Sequence, residues 1–413
     1  MTPNDFPYIT AVHVNDCFAY QNFDINLPPL NGKPFSHLIL TGKNGSGKTT
    51  ILRGIEQHIG VGLFGNSGQS DSRGYGDDKY LTYYVKALQD VNRFTEAKQW
   101  KIKQNWFNSL NLIMSDGKEL SQYTGKSIFS FFVANRQVAP KEVKTPTPET
   151  EFSDLLTKEL ATEYFTQNFK QYLVNKKVVQ AFAQIDKKMD EVRLTEQFFE
   201  IFIVILKRFF EDDALTLVFA NRNYDFNIVL GDGRKINFNQ LSDGFSSFIY
   251  VLADLLIRKD LIRSAIGDYD FEPCGIVLLD EPEGHLHIKA QYDVLPILTE
   301  FFPNVQFIVA THSPAVISSI KNTTVFDITR KTTVTDEIVG SSFSELMVTQ
   351  FGLDNEFSPI ADDIIHKVGQ AVKETNGDKQ ALKQKMQKIL RGNERYLSPV
   401  LRLELESLII ENS

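Results

Sequence analysis

The stretch Gly42-Lys43-Asn44-Gly45-Ser46-Gly47-Lys48-Thr49 constrains this chain more than any other. It fits the phosphate-binding loop pattern G-x-x-x-x-G-K-[ST] at every fixed position. The apolar run His37-Leu38-Ile39-Leu40-Thr41 precedes it and reads as a buried strand. Thr50-Ile51-Leu52-Arg53-Gly54-Ile55 follows and opens a helix. The glycines permit a tight turn that aims backbone N–H groups at phosphate oxygens. The helix start adds the positive end of its dipole. Residues Gly42 to Thr50 are therefore the expected nucleotide contacts, with Lys48 reaching the β and γ phosphates and the Thr49 hydroxyl ligating Mg²⁺.

A loop of this kind needs a sheet to hold it, and the composition allows one. The chain has 413 residues, 42% of them hydrophobic, enough for a sizeable core. Its formal net charge of −8 gives no overall basic footprint for nucleic acid, although a local patch is compatible with it. The two cysteines, Cys17 and Cys274, have no neighbouring ligands and suit a reducing cytosol rather than a disulfide framework or zinc site. The N-terminal residues lack the basic and apolar regions of a signal peptide. The strongest apolar run, Phe198 to Phe210, contains Glu200, Lys207 and Arg208 and is too short to span a bilayer. The expectation is a cytoplasmic protein without membrane contact.

Along the chain, residues 8–14 and 20–27 read as an antiparallel strand pair leading into the loop strand. Residues 60–78, rich in Gly, Ser and Asp, read as a loop, and 79–107 as helical. Residues 127–134 read as a strand ending in Asn135-Arg136-Gln137, followed by a Pro/Thr-rich connector at 140–148. From 152 to 211 the pattern is helical, and Phe198, Phe202, Ile205 and Phe209 form an apolar stripe of the kind that packs into a core. No sustained heptads suggest a coiled-coil arm. Strands at 215–219, 224–230 and 234–238 follow, the last two flanking the hairpin signal Gly231-Asp232-Gly233. A helix over about 245–262 precedes two continuous apolar strands, 275–280 and 306–311, which indicate a mainly parallel buried sheet. Residues 324–328 read as its edge strand. From about 340 the chain reads as a helical tail with a charged middle.

Three further motifs sit where strand ends or helix starts place them. Leu241-Ser242-Asp243-Gly244-Phe245 opens a helix and resembles the ABC signature Leu-Ser-Gly-Gly-Gln, with Asp243 and Phe245 as departures. Ser followed by Asp also suits an ordinary helix cap. Ile276 to Pro282 resembles a Walker B strand, in which Asp280 would hold Mg²⁺ and Glu281 would polarise the attacking water. Thr311-His312-Ser313-Pro314 resembles the switch region, whose His312 would contact the γ phosphate. Two softer features accompany them. Gln137 would complete the Mg²⁺ and water shell as a Q-loop residue, or would belong to a plain strand-end turn. Glu283-Gly284-His285-Leu286-His287 would be the D-loop; its His-x-His has no evident third ligand for a metal.

The order of these motifs is that of the ABC superfamily, and the resemblance covers most of residues 8–330. It implies an α/β P-loop NTPase head with a mainly parallel core sheet, an N-terminal antiparallel β subdomain, a compact helical insertion and a helical C-terminal tail. The corresponding boundaries are 1–138 for the N-terminal lobe, 139–212 for the insertion, 213–339 for the C-terminal lobe and 340–413 for the tail, expected to dock a partner or build an oligomer. The resemblance also implies ATP and Mg²⁺ as cofactors. Ser242, Asp243 and Gly244 of one copy would close over nucleotide held by the P-loop of another, with Lys48, Glu281 and His312 as the catalytic residues and Thr49, Asp280 and Gln137 around the metal.

Lys48 and Ser242 lie 194 residues apart, farther than in transporter subunits, and with Asp280-Glu281-Pro282-Glu283-Gly284-His285-Leu286-His287 this looks more like the SMC, RecF and OLD-type ATPases. Size and the compact insertion look most like standalone ATPases of anti-phage systems such as Septu, retron-associated and PARIS types. That resemblance implies a homodimer or higher oligomer, a separately encoded effector such as an HNH or Toprim nuclease, and DNA or a phage protein as trigger. A RecF- or SMC-like role in DNA repair is the alternative. The tail shows Asp362-Asp363 in a helical context and no Asp-x-Asp, so no nuclease activity is expected in this chain.

Overall fold

The computed structural model describes residues 2–15, 22–64, 94–115, 119–136, 140–148, 150–157, 161–338, 345–346, 359–375, 379–393, 398–399, 401–403, 405 and 407. The chain divides into two compact units, Met1–Ser341 and Ser342–Ser413.

In the first unit, strands β1 (Ile9–Val14) and β2 (Phe23–Asn26) pair antiparallel, and β4 (Leu110–Met114) pairs on the other side of β1. This is the anticipated N-terminal antiparallel sheet with one strand more than the sequence suggested. Strand β3 (His37–Thr41) leads into helix α1 (Lys48–Phe64), and α2 (Phe94–Phe107) precedes β4. Helix α1 runs on to Phe64, so the loop expected from residue 60 does not begin there. Residues 65–93, which hold most of that loop and the first half of the expected 79–107 helix, lie outside the described residues.

Strand β5 (Ile128–Phe132) is followed by helices α3 (Ala161–Gln167), α4 (Phe169–Ile185) and α5 (Met189–Phe210), then the antiparallel strands β6 (Thr216–Ala220), β7 (Asp225–Val229) and β8 (Lys235–Asn237). Helix α6 (Asp243–Ile266), β9 (Gly275–Asp280), α7 (Ile288–Phe301), β10 (Val305–Ala310), β11 (Thr323–Asp327) and the two-residue β12 (Thr332–Thr333) complete the unit.

The central sheet has the order β12-β11-β3-β10-β9-β5. All its pairings are parallel except β11 with β12. Strand β11, expected at the edge, is covered by β12 and lies one place in. Every residue of β3, β9, β10 and β11 is buried, as in the interior of a parallel sheet, which explains the near-continuous apolar run of β9; the polar residues of the other three, such as His37, Gln306 and Asp327, are buried with them. The buried Gln306 of β10 ties the two sheets together. Its amide donates to the carbonyls of Ile9 and Ser36, and its Oε1 accepts from the Ile9 N–H.

The helical insertion belongs to the same unit. Phe198, Phe202, Ile205 and Phe209 of α5 are all buried, as core packing requires. Phe209 stacks on Phe248 of α6 with ring centroids 3.7 Å apart. The buried Asp260 of α6 accepts from Tyr172 and pairs with Lys176 of α4 at 2.5 Å. Lys170 reaches Asp225 of β7 at 2.7 Å. Charges this deeply placed are kept by partnering, since an unpaired one would carry a large desolvation cost.

The second unit contains α8 (Pro359–Glu374) and α9 (Lys379–Gly392). Ala361, Ile364, Val368, Ala371, Leu382, Met386, Leu401 and Leu405 form its apolar core. Among the described residues no helix is long and apolar enough to cross a membrane.

Candidate nucleotide site

Parallel strands all end on one side, so their C-terminal ends gather whatever side chains follow them. Here the P-loop follows β3, Asp280 and Glu281 end β9, His312 follows β10, Thr329 follows β11 and Arg136 follows β5. Five separate stretches of sequence converge on one edge of one sheet.

The loop has the conformation its glycines anticipated. Gly42, Gly45 and Gly47 have φ of 134°, 75° and 90°, a region costly for residues with a Cβ. Lys48 is 6% exposed, and its ammonium donates to the carbonyls of Gly42 at 3.0 Å and Lys43 at 3.3 Å. Burial lowers its pKa, while Glu281, Asp280, Glu283 and Asp327 act in the opposite direction. Lys43, Asn44 and Gly45 are exposed at the tip. Thr329 supports the loop from behind, its hydroxyl accepting from the Lys43 N–H at 3.0 Å.

The Thr49 hydroxyl donates to Asp280 Oδ2 at 2.9 Å. The P-loop threonine and the Walker B aspartate, 231 positions apart, are thus brought together. Two hard oxygen donors in contact at a helix start suit Mg²⁺, which is commonly held by few protein oxygens together with phosphate oxygens and water. Among the described residues no group of three or more His, Cys, Asp or Glu could hold a metal unaided, so phosphate oxygens and water would supply the other ligands. Desolvation raises the pKa of Asp280, opposed by the Thr49 hydrogen bond; a nearby cation would favour its ionised form.

Glu281 adopts a left-handed backbone with φ of 46°. For a residue with a side chain this is a strained conformation, held only when its surroundings dictate it. Three hydrogen bonds do so. Its N–H donates to the Ala310 carbonyl at 2.8 Å, and its carbonyl accepts from the Gly284 N–H and from Arg136. Arg136 is buried, and its guanidinium also donates to the carbonyls of Val133 and Asp280. Burial pulls its pKa down to about 10, leaving it charged at neutral pH. The neighbouring Gln137, the expected Q-loop residue, lies outside the described residues.

Glu283 was read only as part of the D-loop, and the structure gives it a distinct place. Its Oε1 accepts from the Thr311 hydroxyl and from the His312 N–H at 2.9 Å. Its Oε2 is buried without a partner among the described residues. Burial raises the Glu283 pKa. The His312 pKa is lowered by burial and by Lys48, so its imidazole is neutral at physiological pH. The position of Glu283 three residues after Asp280 was the available signal, but nothing in the sequence alone paired it with the switch region.

Ser242 occupies the N-cap of α6 yet makes no side-chain capping hydrogen bond. Ser242 and Asp243 are exposed. Gly244 is buried against the D-loop: a Cβ there would lie 2.5 Å from the His285 carbonyl oxygen. The hollow beside Ser242 is lined by Phe210, Asp212, Leu230, Arg234, Gln240 and Phe245 among others, and by no P-loop residue. The signature segment therefore packs on the D-loop and presents its hydroxyl to a different opening.

Residues 120–318 match the family described as "AAA domain, putative AbiEii toxin, Type IV TA system". That segment takes in Asp280, Glu281, Glu283 and His312, and the P-loop lies ahead of it. The geometry is that of an α/β P-loop core, with the loop after β3 and the acids at the end of β9 on one parallel sheet. The chain is similar to the Retron Vc95 probable ATPase of Vibrio cholerae serotype O1 biovar El Tor, with 35% identity over 92 residues, or 22% of this chain. It is also similar to the Retron Ec83 probable ATPase of Escherichia coli, with 40% identity over 82 residues, or 20% of this chain. The chain spans only 18% and 15% of the length of those two relatives. The Septu protein PtuA of Bacillus thuringiensis aligns more broadly, at 22% identity over 83% of this chain and 85% of PtuA. Among solved structures, an SMC head bound to the C-winged helix domain of ScpA covers 79% of this chain and 97% of its own at 14% identity, with a TM-score of 0.39, a distant likeness that adds no weight of its own.

Proposed function

We propose that this chain binds and hydrolyses ATP at a site completed by a second copy of itself, and that the cycle regulates a separately encoded effector, a nuclease, in an anti-phage defence complex. The observation that carries the ATPase reading is the Thr49–Asp280 hydrogen bond beside the buried Lys48, which joins P-loop and Walker B in one constellation. The similarity to retron and Septu proteins supports the defence setting.

In this reading the P-loop N–H groups and the α1 N-terminus bind the phosphates, and Lys48 exchanges its carbonyl partners for phosphate oxygens. Mg²⁺, held from the protein side by Thr49 and Asp280, would neutralise charge on those oxygens. Glu281 orients water for in-line attack. Neutral His312 presents a hydrogen bond toward the γ phosphate. Ser242 and Gly244 of the second copy close the site, and the exposed, uncapped Ser242 hydroxyl supports that assignment.

Phosphate release and nucleotide binding test the reading together. The wild type should release phosphate from ATP, Lys48→Ala should lose nucleotide binding, and Glu281→Gln should bind ATP while hydrolysing it slowly. Tight ATP binding by Lys48→Ala, or normal turnover by Glu281→Gln, would contradict these assignments.

A further inference from the structure

Residues 281–286 form a turn with a left-handed residue near each end, Glu281 with φ of 46° and His285 with φ of 61°. Neither is glycine, so the turn carries backbone strain that its surroundings must hold in place. Inside it, the Gly284 N–H donates to the Glu281 carbonyl and the Leu286 N–H to the Glu283 carbonyl. One end of the turn carries Glu281. The other is seated against the signature segment: a Cβ on Gly244 would lie 2.5 Å from the His285 carbonyl oxygen and 2.8 Å from the Leu286 side chain. Gln291, in the first turn of α7, ties this turn to the residues after β10. Its Nε2 donates to the Leu286 carbonyl at 2.7 Å, and its Oε1 accepts from the Ser313 hydroxyl at 2.6 Å. A side-chain amide carries a donor and an acceptor at one tip, which neither a carboxylate nor an ammonium does. The Ser313 N–H donates to the Thr311 hydroxyl oxygen, and that hydroxyl donates to Glu283. His312 sits between these two anchored residues, with its own N–H held by Glu283.

We infer that Gln291 is a positioning residue: through it the segment bearing His312, the turn bearing Glu281 and the start of α6 move as one body. Its side chain bonds to no P-loop residue and not to Thr49. Losing it therefore loosens the catalytic groups without removing a nucleotide contact. The consequence for turnover rests on the proposed ATPase dimer. There the signature of each copy covers its partner's nucleotide, while Glu281 and His312 act on the nucleotide of their own copy. A contact made by Ser242 and Gly244 at one site is thereby carried through residues 285–286 and Gln291 to the reacting groups of the other. The mechanical link itself does not need that reading, because every contact in it lies within one copy.

Two measurements on the full chain test this. The first is amide hydrogen exchange without nucleotide, comparing wild type with Gln291→Leu. Exchange should quicken several-fold at residues 284–286, at 312–313 and at 246–248 in the first turns of α6, and stay unchanged in β9 and β3. The spread to α6 is what a purely local role of Gln291 would not produce. The second is steady-state ATP hydrolysis with a parallel ATP-binding measurement on Gln291→Leu, Ser313→Ala and the double variant. Each single change should lower kcat about tenfold, as a misplaced reacting group does, with ATP affinity unchanged. The double variant should lose no more than either single one, because both break the same link. Gln291→Glu keeps an acceptor for Ser313 but, when ionised, has no donor for Leu286, so it should fail as Gln291→Leu does. The inference is overturned if exchange at 246–248 does not change, if the two kcat losses multiply, if ATP affinity falls along with kcat, or if Gln291→Glu restores turnover. A wild type that releases no phosphate would defeat the ATPase reading instead, and the exchange measurement would still decide the link.

Discussion

Arg136 donates to the carbonyls of Asp280 and Glu281 at once, at 2.7 and 3.1 Å. One buried guanidinium thus fixes the turn at the end of β9 in which Glu281 holds its left-handed backbone. The planar fork of arginine matches this task, and a lysine could satisfy only part of it.

Arg136→Lys should therefore lower kcat for ATP by roughly ten- to a hundredfold, as expected when a reacting group is misplaced by about an ångström. Nucleotide affinity should change little, because Arg136 touches neither the P-loop nor Thr49 among its hydrogen-bond partners. Steady-state kinetics with a parallel binding measurement separates the two. Equal losses in both would show that Arg136 supports the whole edge rather than the Glu281 turn.

Glu283 makes stability depend on pH in a defined direction. Burial raises its folded-state pKa above the ordinary 4.5, so the folded protein holds the proton over a window where the unfolded chain has lost it. Its contribution is complete below about pH 4.5 and falls as pH rises through the folded value. Glu283→Gln, which keeps an acceptor for Thr311 and His312, removes that dependence. Urea unfolding at several pH values should show the variant gaining stability relative to wild type as pH rises above the ordinary carboxylate range. A constant difference would mean that Glu283 does not titrate in this way.

Gly244→Ala should destabilise the unit by about 1–3 kcal/mol, because the new Cβ meets a backbone carbonyl that cannot swing aside. Gly284→Ala is the matched control, since its Cβ would come no closer than 3.5 Å to the Glu281 carbonyl oxygen. Thermal unfolding of the two variants compares them directly. Equal melting temperatures would remove the packing account of Gly244.

Much of this site was legible because its parts are local. A strand, a Gly-rich loop and a helix start adjoin in sequence around Lys48, and an apolar strand runs directly into Asp280 and Glu281. Arg136 and Glu283 were not legible in their roles, because each acts on groups from another stretch of the chain: backbone carbonyls for Arg136, the Thr311 hydroxyl and the His312 N–H for Glu283. Strand β4 was missed because it follows α2 almost at once and pairs with β1 from nearly a hundred residues away. The end of α1 was misread because glycine there marks close packing rather than a break. A Cβ on Gly62 would lie 2.7 Å from the Leu120 side chain. Hydrophobic periodicity reports which face is buried, and says little about what buries it.

The central claim is that two copies share the nucleotide. Sedimentation of Glu281→Gln tests it most directly, because slow hydrolysis should preserve the closed state. The account predicts a shift from a smaller to a larger species with ATP and Mg²⁺, no shift with ADP, and loss of the shift in Glu281→Gln/Ser242→Arg although each copy still binds ATP. An unchanged sedimentation coefficient with ATP bound, or a shift indifferent to Ser242→Arg, would contradict a site completed by the signature of a second copy.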